Sequence, residues 1–123
     1  MRRMLIVEDE VDINDCLQHF FSTKGFSVAT AFSGEEAVEK LHDEQPEIVL
    51  LDVMLPGLSG IEVLKKIREV YPQAKVIMVT ALNHDEIREQ ASRFGAFAYV
   101  TKPFDFSDET WLPAFTTTSA KHI

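Results

Sequence analysis

Five short apolar runs, separated by stretches of helical periodicity, leave this chain very few architectures. The runs fall at residues 4–7, 26–32, 48–51, 76–79 and 97–100. Runs of this length and composition suit strands buried on both faces of a sheet. Between them, apolar residues recur three and four apart, as on one side of a helix. Ile13, Cys16, Leu17, Phe20 and Phe21 make the first such stripe, and Gly25 closes it. Ser33 with Glu36, and Ser59 with Glu62, have the spacing of a capping box ahead of the next two stripes. Asn83 with Glu86 opens a fourth helix carrying Ile87, Ala91 and Phe94. Strand and helix in strict alternation predict an α/β fold, a doubly wound five-stranded parallel sheet with helices on both faces. A chain of 123 residues is enough for one such domain.

The end of the chain breaks the pattern. Asp105 or Ser107 can cap a fifth helix, but Pro113 falls inside it, and an interior proline costs a helix ~3 kcal/mol. Thr116, Thr117, Thr118 and Ser119 are poor helix formers. The expectation is a domain over residues 1–115 with a short or irregular last helix, followed by a polar tail over 116–123. Phe106, Trp111 and Phe115 would then be exposed, either docking a partner or packing loosely on the sheet.

Charge and composition exclude several functions. A formal net charge of −8, with no basic run, argues against direct nucleic-acid binding and against a membrane surface. After Met1-Arg2-Arg3 a run of only four apolar residues leads to Glu8, too few for a signal peptide or a span; a cytoplasmic location is the expectation. Cys16 is the single cysteine, so no internal disulfide or cysteine zinc site can form. Its place in an apolar stripe suggests a packed thiol. His19, His42, His84 and His122 share no metal-binding spacing and read as surface residues.

In an open α/β sheet, ligands bind outside the carboxyl ends of the strands. Those ends carry Glu8 and Asp9, Asp52, Thr80, and Lys102 before Pro103. A carboxylate at the mouth of a buried run is costly unless paired, and three carboxylates together repel without a cation. Oxygen donors of this kind suit Mg²⁺. Thr80 can donate to an oxyanion, and Lys102 can neutralise a phosphoryl oxygen. An aspartate can be the nucleophile, giving an aspartyl-phosphate. Phosphoryl transfer onto Asp52 uses every one of these groups.

These residues stand in four motifs: the acidic pair Glu8-Asp9, "DVMLPGLSG" from Asp52, "VTA" ending at Ala81, and "KPF" from Lys102. With them the chain resembles a response-regulator receiver domain of two-component signalling, the CheY-like group. The resemblance implies a sheet in the order 2-1-3-4-5. It makes Asp52 the phospho-acceptor, Asp9 a direct Mg²⁺ ligand, Glu8 a ligand through water, and the Met54 backbone carbonyl a further ligand. Thr80 becomes the switch hydroxyl and Lys102 the ion-pair partner of the site. Tyr99 matches a switch aromatic that turns inward when the threonine moves, and the Lys102-Pro103 bond is expected to be cis. The function implied is a phosphorylation-dependent switch rather than a turnover enzyme. A sensor histidine kinase or phosphotransfer protein would load it. It would answer through the fourth helix, fifth strand and fifth helix to a downstream protein or to an effector domain elsewhere in a longer regulator.

Two rival functions fit these residues less well. A haloacid-dehalogenase-like phosphatase also uses a strand-end aspartate, a Thr or Ser, a Lys and Mg²⁺, but needs a second Asp two residues on as proton carrier. Met54 stands there and moves no proton. A receiver-like module that is never phosphorylated would have lost Asp52, Asp9 or Lys102, and all three are present.

Overall fold

The computed structural model describes the backbone of residues 2–121 and the side chains of residues 2–116. The chain alternates without exception: β1 (Arg3–Val7), α1 (Val11–Thr23), β2 (Ser27–Ala31), α2 (Gly34–Glu44), β3 (Ile48–Leu51), α3 (Gly60–Val70), β4 (Lys75–Thr80), α4 (Asp85–Arg93), β5 (Ala98–Thr101) and α5 (Asp108–Lys121). All strand pairs are parallel and the order is β2-β1-β3-β4-β5. From β1 the next strand is added on one side and the later ones on the other, so the mouth between β1 and β3 is the switch point where a ligand fits.

Period-2 geometry splits the apolar runs between two cores. Leu5, Val7, Val49, Leu51, Val76 and Met78 face α2, α3 and α4. Met4, Ile6, Ile48, Leu50, Ile77 and Val79 face α1 and α5. Burial on both faces is why these strands read as continuous apolar runs. Ser59 and Glu62 close a complete capping box on α3, and Ser33 caps α2 by accepting from the Glu36 N–H.

The structure departs from the sequence reading in three places. Cys16 is exposed, not packed. The buried positions of α1 are Asn14, Leu17 and Phe21, a stripe rotated so that Asn14 takes the inward place and Cys16 the outward one. α4 begins at Asp85 rather than at Asn83, because the Asn83 Oδ1 accepts from Arg88 instead of capping the helix.

The last helix is neither short nor broken. α5 passes through Pro113 and on to Lys121, across the stretch expected as a tail. Pro113 and Glu109, four residues before it, both lie on the exposed side of the helix. On the other side Trp111 and Ala114 are buried, and the Trp111 indole N–H donates to the Asp105 carbonyl at 2.6 Å. Trp111 packs edge-on against Phe21 and Phe104. This anchoring outweighs the weak propensity of the segment. Trp111 is therefore core, Phe115 half-buried, and only Phe106 of the three aromatics exposed. His122 and the end of the expected tail lie outside the described residues.

Candidate functional site

The carboxyl ends of β1, β3 and β5 bring four charged side chains together. Asp52 follows β3 directly and is buried, as is Glu8 after β1. Lys102 follows β5 and reaches back between them. Its Nζ lies 2.8 Å from Asp52 Oδ2 and 2.7 Å from Glu8 Oε1. Glu10 adds a third, looser carboxylate at 3.5 Å. The second oxygen of each buried acid is held by backbone: Asp52 Oδ1 accepts from the Met54 N–H at 3.0 Å, and Glu8 Oε2 from the Glu10 N–H at 3.0 Å. The Lys102-Pro103 bond is cis, as expected.

Burial pushes the Glu8 carboxyl above its usual range, although its hydrogen bonds to Lys102 and to the Glu10 N–H oppose the shift. Burial alone would lower Lys102, but hydrogen bonds to Asp52 and Glu8 outweigh it and hold the ammonium more firmly protonated. A charged lysine locked between two acids is what the crowding of carboxylates required.

Asp9 is exposed on the rim, yet one of its oxygens, one of Glu8 and one of Asp52 all lie within 4.8 Å of one another. Three hard oxygen donors at that spacing, open to solvent through Asp9, fit a divalent cation such as Mg²⁺.

Thr80 ends β4 and is fully buried; its Oγ1 accepts from the Leu82 N–H at 3.3 Å. Tyr99 is half-buried in β5, and its hydroxyl donates to the Leu82 carbonyl at 2.6 Å. Both residues therefore hold the same loop, the one between β4 and α4. Beside the charged cluster, an apolar recess of about 440 Å³ opens between α1 and the segment after β5. Ile13, Cys16, Ala81, Phe104 and Phe106 line it, with Lys102 at its inner edge.

The profile of the response regulator receiver domain matches residues 4–110. The chain belongs to that family. It is a receiver domain of two-component signalling, a regulatory domain, and the solved receivers it resembles span nearly all of it. A CheY-like receiver domain protein from Methanospirillum hungatei JF-1 is 29% identical with a TM-score of 0.87, and the match covers 98% of each chain. The CheX-CheY-BeF3-Mg²⁺ complex from Borrelia burgdorferi matches at 32% identity and a TM-score of 0.87, over 96% of this chain and 89% of that one. DrrB, an OmpR/PhoB homolog from Thermotoga maritima, matches at 32% identity and a TM-score of 0.83, over 99% of this chain and 54% of its own. Among the described residues no helix is long and apolar enough to cross a membrane.

Two residues near this receiver's site escaped the sequence reading. Glu10 continues the acidic pair into a triple, a signal present but taken as a pair. Asn14 is fully buried, and its Nδ2 donates to the Glu8 carbonyl at 2.9 Å and to Ala31 at 3.4 Å. It ties the end of β1, and so Glu8, to α1 and β2. A polar residue in phase with Leu17 and Phe21 was the available signal.

Proposed function

We propose that Asp52 accepts a phosphoryl group and that the domain works as a phosphorylation-dependent switch. The observation that carries this reading is the Lys102 ammonium held against Asp52 and Glu8, with Asp9 at the open edge. The Asp52 carboxylate attacks the phosphorus of a phosphohistidine or of acetyl phosphate. An oxygen–phosphorus bond forms, and the donor's nitrogen or oxygen leaves with the electron pair of the broken bond. Lys102, already beside the nucleophile, offsets the negative charge that gathers on the phosphoryl oxygens. The Thr80 hydroxyl donates to one of those oxygens. Asp9, Asp52 and the Met54 carbonyl would hold Mg²⁺, with Glu8 acting through water. When bound, the ion supplies Lewis-acid neutralisation of the same oxygens.

The Borrelia relative carries BeF3, a mimic of a phosphoryl group in shape and charge, together with Mg²⁺. That supports both parts of the reading. A loaded Asp52 adds roughly −1.5 to −2 charges next to the loop held by Thr80 and Tyr99. The response would leave through α4, β5 and α5 to a downstream protein or effector domain. The apolar recess beside Lys102 suits approach of a sensor kinase or phosphotransfer protein in the cytoplasm.

The test is intact mass after incubation with acetyl phosphate, with and without Mg²⁺, for wild type and Asp52→Asn. One phosphoryl adduct that needs Mg²⁺ and disappears in Asp52→Asn is the expected result. No adduct on folded, Mg²⁺-binding protein would overturn the reading and leave an unphosphorylated interaction module.

A further inference from the structure

Arg88 lies exposed on α4, yet its side chain is committed at three points. Its Nη1 donates to Asn83 Oδ1 at 3.1 Å and to Thr101 Oγ1 at 3.4 Å. Its guanidinium carbon sits 4.5 Å from the centre of the Tyr99 ring. Among the described residues no carboxylate lies within ion-pair distance of it, so the flat cation is left to the ring and the two oxygens. The contacts span the loop before α4, α4 itself and β5.

Those contacts form the outer end of a chain that reaches the site. Arg88 covers Tyr99, the Tyr99 hydroxyl donates to the Leu82 carbonyl, and the Leu82 N–H donates to Thr80 Oγ1. A second branch runs from Arg88 to Asn83, next to Leu82. The ring has somewhere to go: a recess of about 270 Å³ lies beside it, lined by Arg88, Glu89, Ser92 and Ala98. The cation therefore sits where it can keep Tyr99 from swinging into that space and releasing Leu82.

We infer that Arg88 is a positioning residue, a clamp on Tyr99 and the loop at 81–84 that holds the Thr80 hydroxyl ready for phosphoryl transfer to Asp52. The inference rests on the phospho-acceptor reading above. A hydroxyl fixed before the reaction need not be reorganised during it. Weakening the clamp spreads the loop over conformers and lowers the fraction competent to react.

The test uses 3-fluorotyrosine in a Tyr71→Phe background, where Tyr99 is the remaining tyrosine of the two. Fluorine NMR is recorded without any phosphodonor for the Arg88 parent, Arg88→Ala and Arg88→Lys. Arg88→Ala is expected to shift or split the Tyr99 signal. Arg88→Lys, which keeps a cation but not the fork, should fall between. Adduct formation with acetyl phosphate and Mg²⁺ should then slow about fivefold in Arg88→Ala, with the thermal midpoint close to the parent's. An unchanged Tyr99 signal overturns the clamp. A changed signal with an unchanged rate overturns its action on Thr80. If the parent itself gains no adduct, the phospho-acceptor reading fails and takes the positioning role with it, and the fluorine signal still shows which of the two ideas was at fault.

Discussion

Lys102 Nζ lies 2.8 Å from Asp52 Oδ2, although the two residues are fifty positions apart and leave different strands. The same nitrogen holds Glu8 at 2.7 Å, so one ammonium compensates two buried acids. Removing it in Lys102→Met leaves both facing each other without a cation. We expect a loss of about 3 kcal/mol in urea unfolding at neutral pH, the usual scale for breaking a buried pair from one side. Mg²⁺ should recover more stability in the variant than it adds to wild type, since it would replace the missing charge. Phosphorylation by acetyl phosphate should fall about 100-fold or more. A variant as stable and as reactive as wild type would show that the pair does neither job.

The strand-end acids, Thr80 and Lys102 were legible in the sequence because each terminates an apolar run, and a run's end is a local signal. The sheet was legible for the same reason. What was missed depends on partners far along the chain. Periodicity scores Cys16 as apolar and Asn14 as polar, yet Asn14 is the buried one because the Glu8 and Ala31 carbonyls need its donors. Propensity ends α5 at Pro113, but Trp111 docks on Phe21 and Phe104 and carries the helix through. Nothing local marks Arg88, whose ring partner lies on the next strand.

Gly60 is fixed by how closely α3 starts behind the site. A Cβ there would lie 2.0 Å from the Asp52 carbonyl oxygen and 2.6 Å from the Val53 Cα. Both neighbours are backbone, and the Gly60 N–H also donates to the Val53 carbonyl at 2.8 Å. No side-chain rotation relieves the overlap. Gly60→Ala should therefore cost about 3 kcal/mol, at the upper end of overpacking penalties. It should also slow phosphorylation in the fraction that remains folded, since the displaced atoms belong to Asp52, the proposed phospho-acceptor. Urea unfolding and adduct kinetics on the same preparation check both halves; a variant that unfolds with the wild-type midpoint would contradict the overlap.

Asp105 is the acid whose protonation should be most plainly displaced. Hydrogen bonds from the Ser107 and Thr110 hydroxyls, and from the Ser107 N–H, bring its carboxyl down to about 2. The unfolded chain binds that proton at about pH 3.9. Between these values the unfolded state holds more protons than the folded one, so acid favours unfolding. The contribution is complete above about pH 5 and is lost progressively as pH falls through about 4 toward the folded value of about 2. The urea midpoint of wild type should drop more steeply over that window than that of Asp105→Asn. Carboxyl NMR gives the direct value, and titration of Asp105 near the ordinary aspartate range would refute the arrangement.

Met54 and Leu82 are expected to shield a phosphorylated Asp52 from water. Met54 is 58% exposed and sits two residues from Asp52, to which its own N–H donates. Leu82 is half-buried beside Thr80, and both its hydrogen bonds, from its N–H to Thr80 and from Tyr99 to its carbonyl, use the backbone. The two side chains can therefore be exchanged without dismantling the loop. Neither can orient a water or carry its proton, so the phosphorylated state should be long-lived. Met54→Asn with Leu82→Glu places a polar group at each position, and a positioned proton acceptor speeds hydrolysis by ~10-fold or more. The adduct should decay about that much faster once donor is removed, while the thermal midpoint of the unphosphorylated protein changes little. Equal decay in the two proteins would mean that water reaches Asp52 by another path and that these side chains do not set the lifetime of the signal.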